Sequence, residues 1–239
     1  MSDGAPDTSL VLGVLGGMGP AATLDFLTKL QAFTPAKSDQ DHIRVLVDIN
    51  PKVPDRNLAG SGAGPVLAEM AGALAGAGAD VLAIACNTAH AHADLIQRAS
   101  GLPLIDMIET GASGARDLGA RRVGVLGTKG ALRLYREYLA AQAMGLVSLD
   151  AERQEEFMAT IYKIKSGDLG PAVQREMAGY AADLVAAGAE AVIAGCTEAP
   201  LVMGPADVRV AFIDPSELLA RRCVAVCLGL EPAPATLGA

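Results

Sequence analysis

Two thiols occupy positions from which they could do chemistry. Cys86 follows the apolar run Val81–Ala85, and a second cysteine, Cys196, follows a similar run 110 residues later. Val81–Ala85 shows no polar alternation, which is the pattern of a parallel strand buried on both faces. Asn87 and Thr88 are good helix N-caps, so Ala89–Ala99 is read as a helix. Cys86 is therefore expected at the carboxyl end of a strand, where open α/β sheets bind their ligands. Free N–H groups and the positive helix end favour a thiolate there. A lone cysteine in an apolar strand is ordinarily a small core hydrophobe. Here the position is duplicated. Gly78-Ala-Asp-Val-Leu-Ala-Ile-Ala-Cys86 aligns without a gap with Gly188-Ala-Glu-Ala-Val-Ile-Ala-Gly-Cys196, and Thr197-Glu198 answers Asn87-Thr88. Two equivalent thiols facing one cleft form a nearly symmetric acid–base pair. Such a pair suits moving a proton from one face of a carbon to the other.

The elements that must hold these thiols repeat as well. Leu12-Gly-Val-Leu-Gly16 returns as Val123-Gly-Val-Leu-Gly127, and Leu104-Ile-Asp106 returns as Phe212-Ile-Asp214. Matches at offsets of 108 to 111 describe an internal duplication. The expected fold is α/β, with two pseudo-symmetric parallel-sheet domains and the active site in the cleft between them. Residues 1–107 form the first half and 108–213 the second, with the C-terminal helix (214–239) packing back on the first. Strands are expected at Leu10–Leu15, Arg44–Asn50, Leu102–Asp106, Arg122–Leu126, Leu146–Leu149 and Val208–Asp214, besides the two cysteine strands. Helices are expected from Pro20 to Phe33, at Val66–Ala77, Ala131–Met144, Glu152–Lys165, Pro171–Ala187 and Ser216–Leu230. Pro51–Pro65 is a proline- and glycine-rich loop whose length suggests function, and it carries Arg56. Glu231–Ala239 reads as a frayed tail.

The totals exclude several classes. A net charge of −8 argues against a nucleic-acid or anionic-membrane surface. No apolar run is long enough to span a bilayer. Met1–Ser9 has no basic segment of a secretory signal, and four cysteines in 239 residues are no disulfide framework, so a reducing cytoplasm is expected.

Gly13-Val-Leu-Gly-Gly-Met-Gly-Pro-Ala-Ala-Thr23, Asn50-Pro-Lys-Val-Pro-Asp-Arg56, Cys86-Asn-Thr-Ala-His90 and Ala194-Gly-Cys-Thr-Glu198 together resemble the aspartate/glutamate racemase family, most of all its cofactor-independent aspartate racemases. The resemblance covers nearly the whole chain. It implies that Cys86 and Cys196 are the two proton donor–acceptors and that Arg56 holds a substrate side-chain carboxylate. It also implies contacts from Met18, Asn87, Thr88 and Lys165, to which the repeat adds Thr197. No cofactor and no metal are expected, the partner is a small acidic amino acid, and the family's members are commonly homodimers. Broad-specificity relatives often have Thr for the first cysteine and a neutral residue for the arginine. This chain keeps both cysteines and the arginine, whose bidentate fork matches a carboxylate. Aspartate, with glutamate as the longer variant, is the expected substrate. Lys129, inside the second glycine turn, departs from the smaller residue expected there.

Other readings are weaker. Gly17-x-Gly19-x-x-Ala22 after a strand loosely fits a dinucleotide fingerprint, with Asp39 or Asp48 as ribose partner, but the second glycine turn breaks that pattern. The first turn is expected instead to offer N–H groups to a substrate carboxylate. Cys223 and Cys227 lie four apart on the last helix and are read as core. His90 and His92 lie two apart on a helix and cannot share a metal face. A same-fold isomerase or decarboxylase using one cysteine is the nearer alternative, and the presence of both thiols favours two bases.

Overall fold

A computed structural model describes residues 9–58 and 60–237. Most of the polar lead and the last two residues of the tail lie outside the described residues, and Glu231–Leu237 is neither helix nor strand. The first sheet contains β1 (Leu12–Gly16), β2 (Val45–Ile49), β3 (Val81–Ile84) and β4 (Leu104–Ile105). The second contains β5 (Arg122–Val125), β6 (Gly145–Val147), β7 (Ala191–Ile193) and β8 (Ala211–Ile213). Both are wholly parallel, with the orders β2-β1-β3-β4 and β6-β5-β7-β8. The duplication seen in the sequence is thus a duplication of topology.

The repeat extends to single hydrogen bonds. Asp80 Oδ2 accepts from Val11 N at 2.8 Å, and its counterpart Glu190 accepts from Arg121 N at 2.6 Å, each closing the entry to the first strand of its half. Asp106 and Asp214, the ends of the third match, each cap the helix that follows. A carboxylate at such a cap satisfies otherwise unpaired N–H groups and complements the helix dipole.

The helices are α1 (Pro20–Phe33), α2 (Ala63–Gly76), α3 (Ala93–Ser100), α4 (Met107–Asp117), α5 (Lys129–Ala141), α6 (Ala151–Lys165), α7 (Pro171–Ala186) and α8 (Pro215–Cys227). Apolar residues of β1 and β3 point to both faces, so each face needs a helical cover. Phe26 and Leu30 of α1 join Leu219 and Cys223 of α8 on one face, and Leu67 and Leu74 of α2 join Ile96 of α3 on the other. In the second half α6 and α7 cover one face, and α4 and α5 the other. The last helix packs on the first sheet, and Leu10 N donates to Cys227 O at 2.9 Å. Cys223 and Cys227 are fully buried. Burial pushes the Cys223 thiol well up and that of Cys227 to about 12, as expected of core cysteines.

Three local expectations change. No α-helix starts at Ala89: Thr88–His92 is a 3-10 turn and α3 begins at Ala93. Asn87 does not cap it, because its carboxamide is bound to Tyr135 instead. α5 begins at Lys129, capped by Thr128, so Lys129 is the exposed first residue of a helix rather than part of the glycine turn. α4 is an additional helix whose Gly111, Ser113 and Gly114 hide it from propensity. Those glycines permit close packing: a Cβ on Gly114 would lie 2.6 Å from Leu218. Gly17 is required for a different reason. It has φ +91°, and a Cβ there would lie 2.5 Å from the Asn50 backbone.

Candidate active site

Cys86 leaves the end of β3 and Cys196 follows β7, the equivalent strand of the other sheet. Both line one cavity of about 230 Å³ where the two halves meet. The six predicted contacts, Met18, Arg56, Asn87, Thr88, Lys165 and Thr197, line the same cavity. Both cysteines, Met18, Asn87, Thr88 and Thr197 are buried.

The two halves are stitched at the cavity wall. Thr88 Oγ1 and Thr128 Oγ1 are 2.8 Å apart, and a Cβ on Gly130 would come within 2.8 Å of Thr88. The Tyr135 hydroxyl, from α5, donates to Asn87 Oδ1 at 2.8 Å. His90 fixes the loop behind Cys86. Met107 N can only donate, so His90 Nε2, 3.1 Å away, is its acceptor, and Nδ1–H donates to Cys86 O at 2.9 Å.

Cys196 has the more elaborate surroundings. Its thiol donates to Glu198 Oε2 at 3.0 Å, and the other oxygen of Glu198 is paired with Lys165 Nζ. Burial, together with the negative Glu198, pushes the Cys196 thiol well above its ordinary value. Burial would lower Lys165, but the charge and hydrogen bond of Glu198 outweigh it and leave the ammonium above its ordinary value. Cys196 is therefore held as a thiol, a proton donor, hydrogen-bonded to the Glu198 carboxylate.

Arg56 comes from the long loop, as expected, and its fork is partly engaged. Nη1 donates to Pro54 O at 3.1 Å and Nη2 to Met18 O at 3.1 Å, while Nε is buried without a partner. Met18 thus contributes its carbonyl as a tether for Arg56, with Lys165 Nζ 3.5 Å away. Asn87 Nδ2 is also buried without a partner. Two orphaned donors on residues that line one small cavity call for an acceptor at each, which an anionic ligand would supply. One N–H of the glycine turn is already engaged: Gly17 N donates to Thr23 Oγ1 at 2.9 Å.

The chain belongs to the Asp/Glu/Hydantoin racemase family. Its family profile matches residues 15–223. Over 231 residues the chain is 25% identical to the broad specificity amino-acid racemase RacX of Bacillus subtilis, covering 92% of this chain and all of that one. The structure of the Picrophilus torridus aspartate racemase superposes with a TM-score of 0.79 at 26% identity, covering 91% of this chain and 94% of that one. A glutamate racemase of Pseudomonas putida is 34% identical over 160 residues, which is 61% of this chain and 57% of that protein.

For an amino-acid racemase, four features of the site lay beyond the sequence reading. Glu198 stood in the repeat only as the partner of Thr88, and its bond to Cys196 depends on the turn after β7. Thr128 carries the same capping signal that drew attention to Asn87. Asp55, next to Arg56, accepts from Tyr162 of α6 at 3.1 Å across the cavity mouth, and hydrogen bonds from Asn57 and Tyr162 outweigh burial to keep its carboxyl below the usual range. A second cavity of about 540 Å³ adjoins the first at Arg56 and Asn57. It is lined by Lys129, Arg133 and His92 and by no aspartate or glutamate among the described residues.

Proposed function

We propose that this racemase interconverts L- and D-aspartate, with glutamate as the secondary substrate, by a two-base mechanism without pyridoxal phosphate or metal. The observation that carries this reading is the pair Cys86 and Cys196, from equivalent strand ends, lining one cavity with Arg56. One cysteine removes the α-proton as a thiolate while the opposite thiol delivers a proton to the other face. The Glu198-bound thiol of Cys196 supports the donor role for it in the direction that begins with Cys86 as base. In the reverse direction the roles exchange, with Cys196 as the thiolate base and Cys86 as the thiol donor. The negative charge of the carbanion spreads onto the α-carboxylate, where Asn87 Nδ2, Thr197 and whichever of the mutually bonded Thr88 and Thr128 does not donate to the other are the available donors.

The acidic substrate follows from charge. In a chain of net charge −8, the inner cavity sets Arg56 and Lys165 against Asp55 and Glu198, the last already paired with Lys165, and its outer neighbour adds Lys129 and Arg133 with no carboxylate among the described residues. Arg56 Nε, buried and unpaired, is the donor that a side-chain carboxylate would satisfy. The test is racemisation of a panel of L- and D-amino acids by purified protein dialysed against EDTA, with no cofactor added. Turnover of aspartate above all others is expected. Turnover of neutral amino acids at equal rates overturns the substrate assignment, and dependence on added cofactor or metal overturns the chemistry.

A further inference from the structure

Asn87 is 2% exposed and stands beside Cys86 in the cavity wall, with Nδ2 buried and unpaired. What leaves Nδ2 rather than Oδ1 as the unengaged end of the amide is not a neighbour on its own loop. It is Tyr135, fully buried on α5 in the other half of the molecule. We propose that Tyr135 is a positioning residue for racemisation: its hydroxyl holds Asn87 Oδ1 and so aims Nδ2 at the substrate carboxylate. This inference rests on the racemase reading above.

The orientation follows from a count of donors and acceptors. A phenol has one proton to give, and a carboxamide offers an acceptor at one end and donors at the other. Among the described residues, Asn87 Oδ1 is the only acceptor the Tyr135 hydroxyl has. Reversing the amide would put Nδ2 against the hydroxyl, strand the buried phenol proton, and turn a carbonyl oxygen toward an anionic ligand. Burial and the nearby Asp106 and Asp214 raise Tyr135 well above the ordinary tyrosine value, so it stays a donor at any working pH. Space for the hydroxyl is made by α4. A Cβ on Gly111 would sit 2.8 Å from Tyr135 Oη and 3.2 Å from Pro215, and one on Gly195 would sit 3.3 Å from the ring. Glycine in mid-helix costs stability relative to alanine, so Gly111 makes sense as room for the phenol. Asn87 Nδ2 gains most when charge builds on the carboxylate, so its loss should lower kcat more than it raises KM.

The experiment is a double-mutant cycle on kcat/KM for aspartate with Tyr135→Phe, Asn87→Ala and the double variant. Tyr135→Phe removes one oxygen and keeps the packed ring. It is expected to reduce kcat/KM by roughly tenfold, mostly through kcat, the scale of one misdirected hydrogen bond. In the Asn87→Ala background the same change should cost less than about twofold, because there is no amide left to aim. Gly111→Ala, which crowds the hydroxyl without reaching the cavity, should reduce kcat in the same direction with the fold intact by circular dichroism. If Asn87→Ala leaves no measurable turnover, the same cycle is read on the slower exchange of the aspartate α-proton for deuterium, with the same coupling expected. An unchanged kcat/KM in Tyr135→Phe overturns the inference. So does a Tyr135→Phe loss that persists in full in the Asn87→Ala background, since that would mark a purely structural role. A wild-type protein that racemises no amino acid overturns the functional reading and this inference with it. A racemising wild type with an indifferent Tyr135→Phe overturns this inference alone.

Discussion

Replacing Arg56 by glutamine tests what selects the substrate. Arg56 is half-buried, and its Nε lacks a partner that a side-chain carboxylate would provide. A charge-assisted contact of this kind, lost from a cleft the substrate itself dries, is worth about 2–3 kcal/mol. Partial exposure keeps the figure at the lower end of what a fully buried pair would give. At 1.4 kcal/mol per factor of ten, kcat/KM for aspartate should fall about 30- to 150-fold. Arg56 also tethers its loop through Pro54 O and Met18 O, so some loss will be indirect. The control is the substrate series: kcat/KM for aspartate, glutamate, alanine and serine, with thermal melting in parallel. Loosening the loop would penalise all four alike. Losing the side-chain contact penalises the two acids and spares the neutral pair, whose side chains leave the arginine unpaired. Arg56→Lys should recover only part of the loss, because an ammonium cannot reproduce the fork. An equal loss on all four substrates would refute the assignment of Arg56 to the side-chain carboxylate.

Other consequences are open to measurement. Lys129 and Arg133 border the outer cavity, so Lys129→Gln with Arg133→Gln should lower kcat/KM for aspartate at low salt and leave kcat unchanged. The difference should vanish near 1 M salt, where charges are screened within about 3 Å; a defect that persists there would refute steering. Alkaline stability should be limited by buried thiols. Cys196 and Cys223 are pushed well above the ordinary 9.0 and Cys227 to about 12, so the folded state holds these protons more tightly than the unfolded chain. Their stabilisation is complete below pH 9.0 and is lost as pH rises towards about 12. Melting temperature should therefore fall across that window, and Cys227→Ala should make the fall shallower; an unchanged slope would refute the assignment.

The sequence carried the frame of the site because the frame is repeated. Gly16 and Gly127, Cys86 and Cys196, and Asp106 and Asp214 mark strand ends in both halves, and pairing equal positions places two cysteines at equal strand ends. Arg56 was legible from the resemblance and its unusual loop, and Lys165 from the resemblance alone. What escaped reading depends on how two halves meet. Tyr135 looks like any core aromatic of an amphipathic helix, and nothing local shows that its hydroxyl crosses to Asn87. Glu198 reads as a polar residue after a cysteine until the turn folds its carboxylate back onto Sγ. The helix expected at Ala89 failed because His90 and Tyr135 take the groups that would have started it, leaving a 3-10 turn. α4 was obscured by glycines kept for close packing, which override intrinsic propensity.

The two-base assignment is tested most directly by following aspartate in D₂O with the wild type, Cys86→Ala and Cys196→Ala, each shown to be folded by circular dichroism. The wild type should racemise both enantiomers and place deuterium at Cα of the product. Each single variant should lose racemisation by about a hundredfold to ten-thousandfold, the scale of a positioned proton-transfer group, in both directions alike. The surviving cysteine should still wash deuterium into only one enantiomer, and the two variants should choose opposite enantiomers. Racemisation near the wild-type rate in either variant, or exchange of the same enantiomer by both, would contradict the account.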